Sequence, residues 1–213
     1  MMQTTFEQIL EFIGTFAFAV SGIRLASSHR FDWFGAFVVG MATAIGGGTL
    51  RDIMLDESPF WMNNSFDLVC VALALVSVII FKRQIVRREN MWFIFDSIGL
   101  ALFTVVGVEK TLAHHFPYWT AIIMGTITGA AGGVIRDVFI NEVPLIFRKE
   151  IYAIACIIGG IAYQLCDILG CDKIISELVC GTIVLGVRIL AVRFHLCLPV
   201  MNSLEDDDKD LNR

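Results

Sequence analysis

Charge is scarce in this chain. Asp, Glu, Lys and Arg make up 17% of its 213 residues, against roughly 25% in soluble domains. Four histidines are present, none at metal-ligand spacing, and neither a Ser-His-Asp order nor a P-loop can be found. The sequence therefore offers no carrier for hydrolytic, metal-assisted or nucleotide chemistry, and we expect no enzyme, no cofactor and no tightly bound metal. The six cysteines, Cys70, Cys156, Cys166, Cys171, Cys180 and Cys197, lack CxxC pairing and lie mostly inside apolar runs, which predicts buried small hydrophobes rather than disulfides. Net charge is −5, concentrated in Glu205-Asp206-Asp207-Asp208-Lys209-Asp210, so nothing calls for nucleic acid. No ten-residue alternating pattern marks a β-barrel. No basic n-region with a small-residue cleavage site precedes the first apolar run, so no removable signal peptide is expected.

What fills the chain is apolar: 56% of residues are hydrophobic and mean hydropathy is +0.73. Stretches near the ~20 residues that cross a hydrocarbon core recur at 8–27, 33–55, 66–82, 92–112, 118–140, 150–169 and 174–194. Backbone groups in lipid must be satisfied within their own segment, so these segments predict helices. The expected fold is an all-α polytopic membrane protein with seven transmembrane helices. One transmembrane domain spans 1–200, followed by an acidic, disordered cytoplasmic tail at 201–213.

The chain also repeats itself. Gly46-Gly47-Gly48-Thr49-Leu50-Arg51-Asp52 returns as Gly132-Gly133-Val134-Ile135-Arg136-Asp137, offset by 85 residues. The offset holds from Gly14/Gly99 to Pro59/Pro144 through Phe18/Phe103, Gly22/Gly107, His29/His114, Thr43/Thr128 and Glu57/Glu142, and it sets Glu11 on Asp96. An internal repeat governs the reading of the whole chain. Repeat one covers about 6–85, repeat two about 91–170, and a seventh helix at 174–194 closes the set.

Three helices per repeat is an odd number, so the second repeat must enter the membrane from the opposite side. The positive-inside bias orients the pair. With the N-terminus outside, the cytoplasm receives Arg24, Arg30, Lys82, Arg83, Arg87, Arg88, Arg148, Lys149, Arg188, Arg193, Lys209 and Arg213, while the outside keeps Arg51, Lys110 and Lys173.

The second helix of each repeat runs through glycines, Gly46–Gly48 and Gly129-Ala130-Ala131-Gly132-Gly133. Each glycine costs a helix interior about 1 kcal/mol relative to alanine, so helices two and five are expected to kink or unwind there. Interrupted helices at matching positions of inverted repeats point to a permeation or binding site. Close packing through small residues is the other reading, since Gly125 and Gly129 form a GxxxG pair. Beyond the glycines stand Arg51-Asp52 and Arg136-Asp137, which either snorkel at the interfaces or line the two mouths of a polar pathway. Glu11 and Asp96 either complement helix dipoles or line that pathway from opposite ends. Across the symmetry axis the expected pairings are Arg51 with Asp137 and Arg136 with Asp52. The histidines and Glu57 and Glu142 read as solvated loop residues.

Phe12-Ile13-Gly14-Thr15-Phe16-Ala17-Phe18-Ala19-Val20-Ser21-Gly22, the Gly46–Asp52 run and Asp96-Ser97-Ile98-Gly99-Leu100-Ala101-Leu102-Phe103 resemble the bacterial relatives of trimeric intracellular cation (TRIC) channels, also labelled glycine transporters. The resemblance covers nearly all of the chain except the tail. It implies a homotrimer in the bacterial inner membrane, each protomer with its own pore for K⁺ and Na⁺, kinked at the glycines of helices two and five. Animal members carry Lys-Glu-Val after the helix-two glycines and bind phosphoinositide; Thr49-Leu50-Arg51-Asp52 stands there instead, so the resemblance leaves that lipid regulation open. Two functions stay open. In a channel, Asp52, Asp137, Thr43, Thr49 and Thr128 present oxygens to a cation. In a transporter, half-helix ends hold a small zwitterion such as glycine while the repeats rock about it.

Overall fold

The computed structural model describes residues 5–63, 65–81, 91–148 and 151–199. The basic residues Lys82, Arg83, Arg87, Arg88 and Lys149, and the expected tail with Lys209 and Arg213, lie outside the described residues. Every described apolar segment is helical: α1 (Thr5–Ser28), α2 (Trp33–Met54), α3 (Phe66–Ile80), α4 (Met91–Ala113), α5 (Tyr118–Phe139), α6 (Ala153–Ile168) and α7 (Lys173–Arg193). One helical turn, Phe60–Asn63, precedes α3, and a 3₁₀ turn, Leu145–Phe147, precedes α6. The repeat is thus visible element by element, with α1, α2 and α3 answered by α4, α5 and α6.

Five of these helices, α1, α2, α4, α5 and α7, are long and apolar enough to cross a membrane. The third helix of each repeat is shorter than the sequence predicts, 15 residues in α3 and 16 in α6. At 1.5 Å per residue neither reaches the ~30 Å of a hydrocarbon core. Part of the expected span at 150–169 goes to Ile151 and Tyr152, which are not helical.

Even the backbone exceptions repeat. Arg30 (φ 62°) matches His115 (φ 63°), and Asp56 (φ 58°) matches Asn141 (φ 60°). These left-handed residues stop the first two helices of each repeat at the same register. Asp and Asn visit that region more readily than most side chains. Asp32 starts α2 by accepting a hydrogen bond from Gly35 N at 2.7 Å, which satisfies one of the free amides of the first turn.

The two repeats are inverted. Lys173 joins Glu7, near the start of α1, to Glu109, near the end of α4, so these equivalent helices run antiparallel. Between them Phe18 and Phe103, each the other's counterpart, stack with ring centroids 5.5 Å apart and planes 10° from parallel. A two-fold pseudo-axis through that stack is the simplest arrangement that sends each ring onto the other. The buried core gathers around it: Leu100, Val20, Ile23, Val105 and Val108 are all at most 2% exposed.

Candidate permeation site

The two arginines sit at the ends of α2 and α5, and neither is exposed at all. Snorkelling is therefore excluded as their role. Each guanidinium first turns to its own neighbour: Arg51 Nε donates to Asp52 Oδ1 at 2.8 Å, and Arg136 Nε to Asp137 Oδ1 at 2.9 Å. Each then reaches the first helix of its own repeat. Arg51 Nη2 meets Glu11 Oε1 at 3.4 Å, and Arg136 Nη1 donates to Asp96 Oδ1. Arg136 Nη1 also donates to Ser21 Oγ at 3.0 Å, across the repeats. The expected cross-axis pairing of Arg51 with Asp137 and Arg136 with Asp52 is wrong. Because each Asp is adjacent in sequence and each first helix supplies a carboxylate at the same level, each arginine finds its carboxylates within its own repeat. The sequence left Glu11 and Asp96 as either helix-dipole partners or pathway linings and did not show that the arginines hold them.

The second oxygen of each Asp ties down the chain that follows. Asp52 Oδ2 accepts from Phe60 N at 2.8 Å, and Asp137 Oδ2 from Leu145 N at 3.0 Å, again 85 residues apart. The duplicated unit is thus a guanidinium flanked by two carboxylates, one of which also anchors the return turn. The Arg136 cluster carries one more formal negative charge than positive, whereas Lys110, 2.9 Å from Asp52 Oδ1, balances the Arg51 cluster. Arg51 Nη1 and Arg136 Nη2 are buried without a hydrogen-bond partner among the described residues, as is Asp96 Oδ2. Buried donors and acceptors of this kind ordinarily find water.

The glycine runs do not unwind: α2 and α5 continue as α-helix through Gly46–Gly48 and through Gly129–Gly133. Their role is close approach. A β-carbon on Gly47 would stand 2.1 Å from the Thr128 carbonyl oxygen, and one on Gly132 would stand 2.2 Å from that of Thr43. These reciprocal contacts are where α2 and α5 cross at the pseudo-axis. Gly46 meets Ile135 and Gly48 meets the Phe60 ring, while Gly129 lies against Thr104 and Gly133 against the Tyr152 hydroxyl. The hydroxyls of Thr43 and Thr128 donate to Val39 O and Met124 O, each at 2.6 Å, and both side chains are fully buried. Thr49 donates to Ile45 O at 2.7 Å and accepts from Trp61 Nε1 at 3.0 Å.

Both loop pairs that the sequence left to solvent bridge the repeats. His114 Nε2 lies 2.8 Å from Glu57 Oε1, and its counterpart His29 Nε2 lies 3.4 Å from Glu142 Oε1. One end of the bundle adds a lysine: Lys110 Nζ reaches Glu57 Oε2 at 2.6 Å and Asp52 Oδ1 at 2.9 Å. At the other end Arg148 reaches Glu142 at 3.0 Å. The hydrogen bond from Lys110, together with its charge, holds the Glu57 carboxyl below the usual carboxylate range, against the opposing effect of partial burial.

This duplicated architecture has relatives. The family model described as glycine transporter matches the chain twice, over residues 8–83 and 93–167. The chain belongs to that family. Each match lies on one repeat, so the unit that the glycine-transporter family shares is the repeat itself. The chain is also 42% identical to the UPF0126 inner membrane protein YadS of Escherichia coli strain K12, over 89% of this chain and 93% of that one. A UPF0126 membrane protein of Vibrio cholerae is 40% identical over 93% of this chain and 84% of its own. Among solved structures, the TRIC trimeric intracellular cation channel orthologue from Rhodobacter sphaeroides superposes with TM-score 0.84 at 30% identity, covering 91% of this chain and all of its own. A structure solved for the basis of conductance through TRIC cation channels gives TM-score 0.82 at 31% identity, over 92% and 97% of the two chains. These relatives are membrane proteins and channels, not enzymes. The fold of this glycine-transporter family member is that of the TRIC channels.

Proposed function

We propose that the protein is a cation channel of the bacterial inner membrane that passes K⁺ and Na⁺ through a pore inside each protomer of a homotrimer, with the N-terminus outside. The observation that carries this reading is the duplicated cluster of one buried arginine with two carboxylates. One cluster stands at the end of α2 and the other at the end of α5. The Arg136 cluster has a net negative charge, and both hold polar atoms without a hydrogen-bond partner among the described residues, which suits a hydrated path that favours cations. Glu11, Asp52, Asp96 and Asp137 attract the ion, and Arg51 and Arg136 hold those carboxylates in place. The α2–α5 crossing, where Gly47 meets Thr128 and Gly132 meets Thr43, is the constriction. Conduction requires the two helices to separate there. Likeness to TRIC cation channels over nine-tenths of the chain supports the same conclusion.

Transport of glycine is the second reading, favoured by the description of the family. It calls for half-helix ends aimed at the substrate carboxylate. Continuous α2 and α5 offer none, and the net negative Arg136 cluster repels that carboxylate. Proteoliposomes loaded with KCl separate the two. Channel activity gives ion flux that does not saturate with glycine. Saturable glycine uptake without ion leak would instead establish the transporter.

A further inference from the structure

Three glutamates far apart in sequence meet at the end of the bundle where α1 and α7 begin and α4 ends. Glu7, Glu109 and Glu177 each bring one carboxylate oxygen to within 4.8 Å of the others. An ion with oxygens at about 2.3–2.6 Å, the calcium range, spans a gap of that size. All three residues are buried, and Glu177 is only 3% exposed. In this structure the cation among them is the ammonium of Lys173, 2.7 Å from Glu7 Oε1, bonded to Glu109 Oε1 and 3.9 Å from Glu177 Oε1. One ammonium faces three carboxylates, and Glu177 Oε2 has no hydrogen-bond partner among the described residues. A buried carboxylate oxygen without a partner is a costly arrangement.

The cluster is not part of the duplicated framework. At the equivalent of Glu109 the first repeat has Arg24, and at the equivalent of Glu7 the second repeat has Trp92. The fold is therefore built once without these acids, at the opposite end. Among the described residues, Glu177 is also the only charged one lining a cavity of about 180 Å³ between α1, α4 and α7, beside Leu10, Ala101 and Leu178. That space lets its carboxylate turn. Lys173, with 46% of its side chain exposed, can swing outward.

We propose that Glu7, Glu109 and Glu177 form a divalent-cation site, for a hard ion of the calcium and manganese class, which Lys173 occupies with its ammonium until the ion displaces it. The ion clamps the first helices of both repeats to α7. The proposal does not depend on what the protein conducts, and binding is read without any current. The test is Mn²⁺ binding to the full-length protein in detergent, followed by electron paramagnetic resonance and by isothermal titration after chelation. We expect one Mn²⁺ per protomer, at least tenfold weaker binding in Glu177→Gln, and about tenfold tighter binding in Lys173→Met, which removes the competitor. Asp56→Asn, an acid elsewhere on the same protein, leaves binding unchanged. The opposite sign expected for Lys173→Met keeps the test decisive should Glu177→Gln fold poorly. Absence of Mn²⁺ binding at millimolar concentration in both wild type and Lys173→Met overturns the site, and binding unaltered by Lys173→Met overturns the exchange.

Discussion

Gly47 of α2 lies directly against the main-chain carbonyl of Thr128 in α5, and its counterpart Gly132 lies in the same way against Thr43. The pair marks the pseudo-axis and shows what the glycine runs are for. Small residues let two helices approach backbone to backbone, as dispersion and packing in a membrane favour.

Alanine at either position has no room. Gly47→Ala and Gly132→Ala are each expected to destabilise the purified protein by about 1–3 kcal/mol, the range of overpacked cores. Gly186→Ala in α7, where nothing lies within 4 Å of an added β-carbon, is expected to be neutral or to stabilise by up to ~1 kcal/mol through helix propensity. Thermal melts in detergent compare the three. Equal melts for Gly47→Ala and Gly186→Ala would remove the close crossing from the account.

The arginine clusters predict which residues are coupled. Removing one member of a buried pair costs about 3–5 kcal/mol, because the other charge is left uncompensated. Arg51→Met and Glu11→Gln together are expected to cost less than the sum of the two, as are Arg136→Met with Asp96→Asn. Arg51→Met with Asp137→Asn is expected to be additive, since the two clusters share no side chain. A double-mutant cycle showing the reverse would restore the cross-axis pairing.

Much of this was legible in the sequence. The offset of 85 residues gave the repeat, its inversion and the members of the clusters, because each position recurs with its chemistry. Pairings were not legible. Arg51 and Glu11 are 40 residues apart, and spacing alone does not say whether a guanidinium turns along its own helix or across the axis. The glycines misled in a specific way. Helix propensity counts their local cost and predicts a kink or an unwound turn, whereas α2 and α5 stay helical and the contacts of Gly47 and Gly132 offset that cost across the crossing. His29 and His114 read as loop residues for the same reason, since their glutamate partners belong to the other repeat. Glu109 stood out only as a charge inversion against Arg24 at the offset, and Glu7 and Glu177 lie on other helices with no common spacing, so their meeting was not legible.

Glu57 gives a pH dependence with a definite sign. Lys110 and His114 lower its carboxyl below the ordinary value near 4.5. A lowered folded-state value means that the unfolded chain takes up the proton first as pH falls. The stabilisation is therefore complete above about pH 4.5 and is lost as pH drops through the depressed value. Glu57→Gln is expected to flatten the acid limb of a melting-temperature profile and leave the neutral region with a small, constant change. An acid limb of unaltered slope would contradict it.

Neutralising the acids should alter the current rather than the fold alone. Asp52→Asn and Asp137→Asn each retain a hydrogen-bond acceptor for Phe60 N or Leu145 N but remove one negative charge from a cluster. Unitary cation conductance is expected to fall severalfold in each, with preference for K⁺ over Cl⁻ reduced at low salt, where screening is weakest. Conductance and selectivity equal to wild type in both variants would take these residues off the path.

Current across a planar bilayer holding the purified protein in a KCl gradient tests the central claim most directly. The account predicts discrete openings that reverse near the K⁺ equilibrium potential and do not respond to glycine. Silent bilayers, from protein that takes up glycine saturably in liposomes, would contradict it and make the α2–α5 crossing a substrate gate.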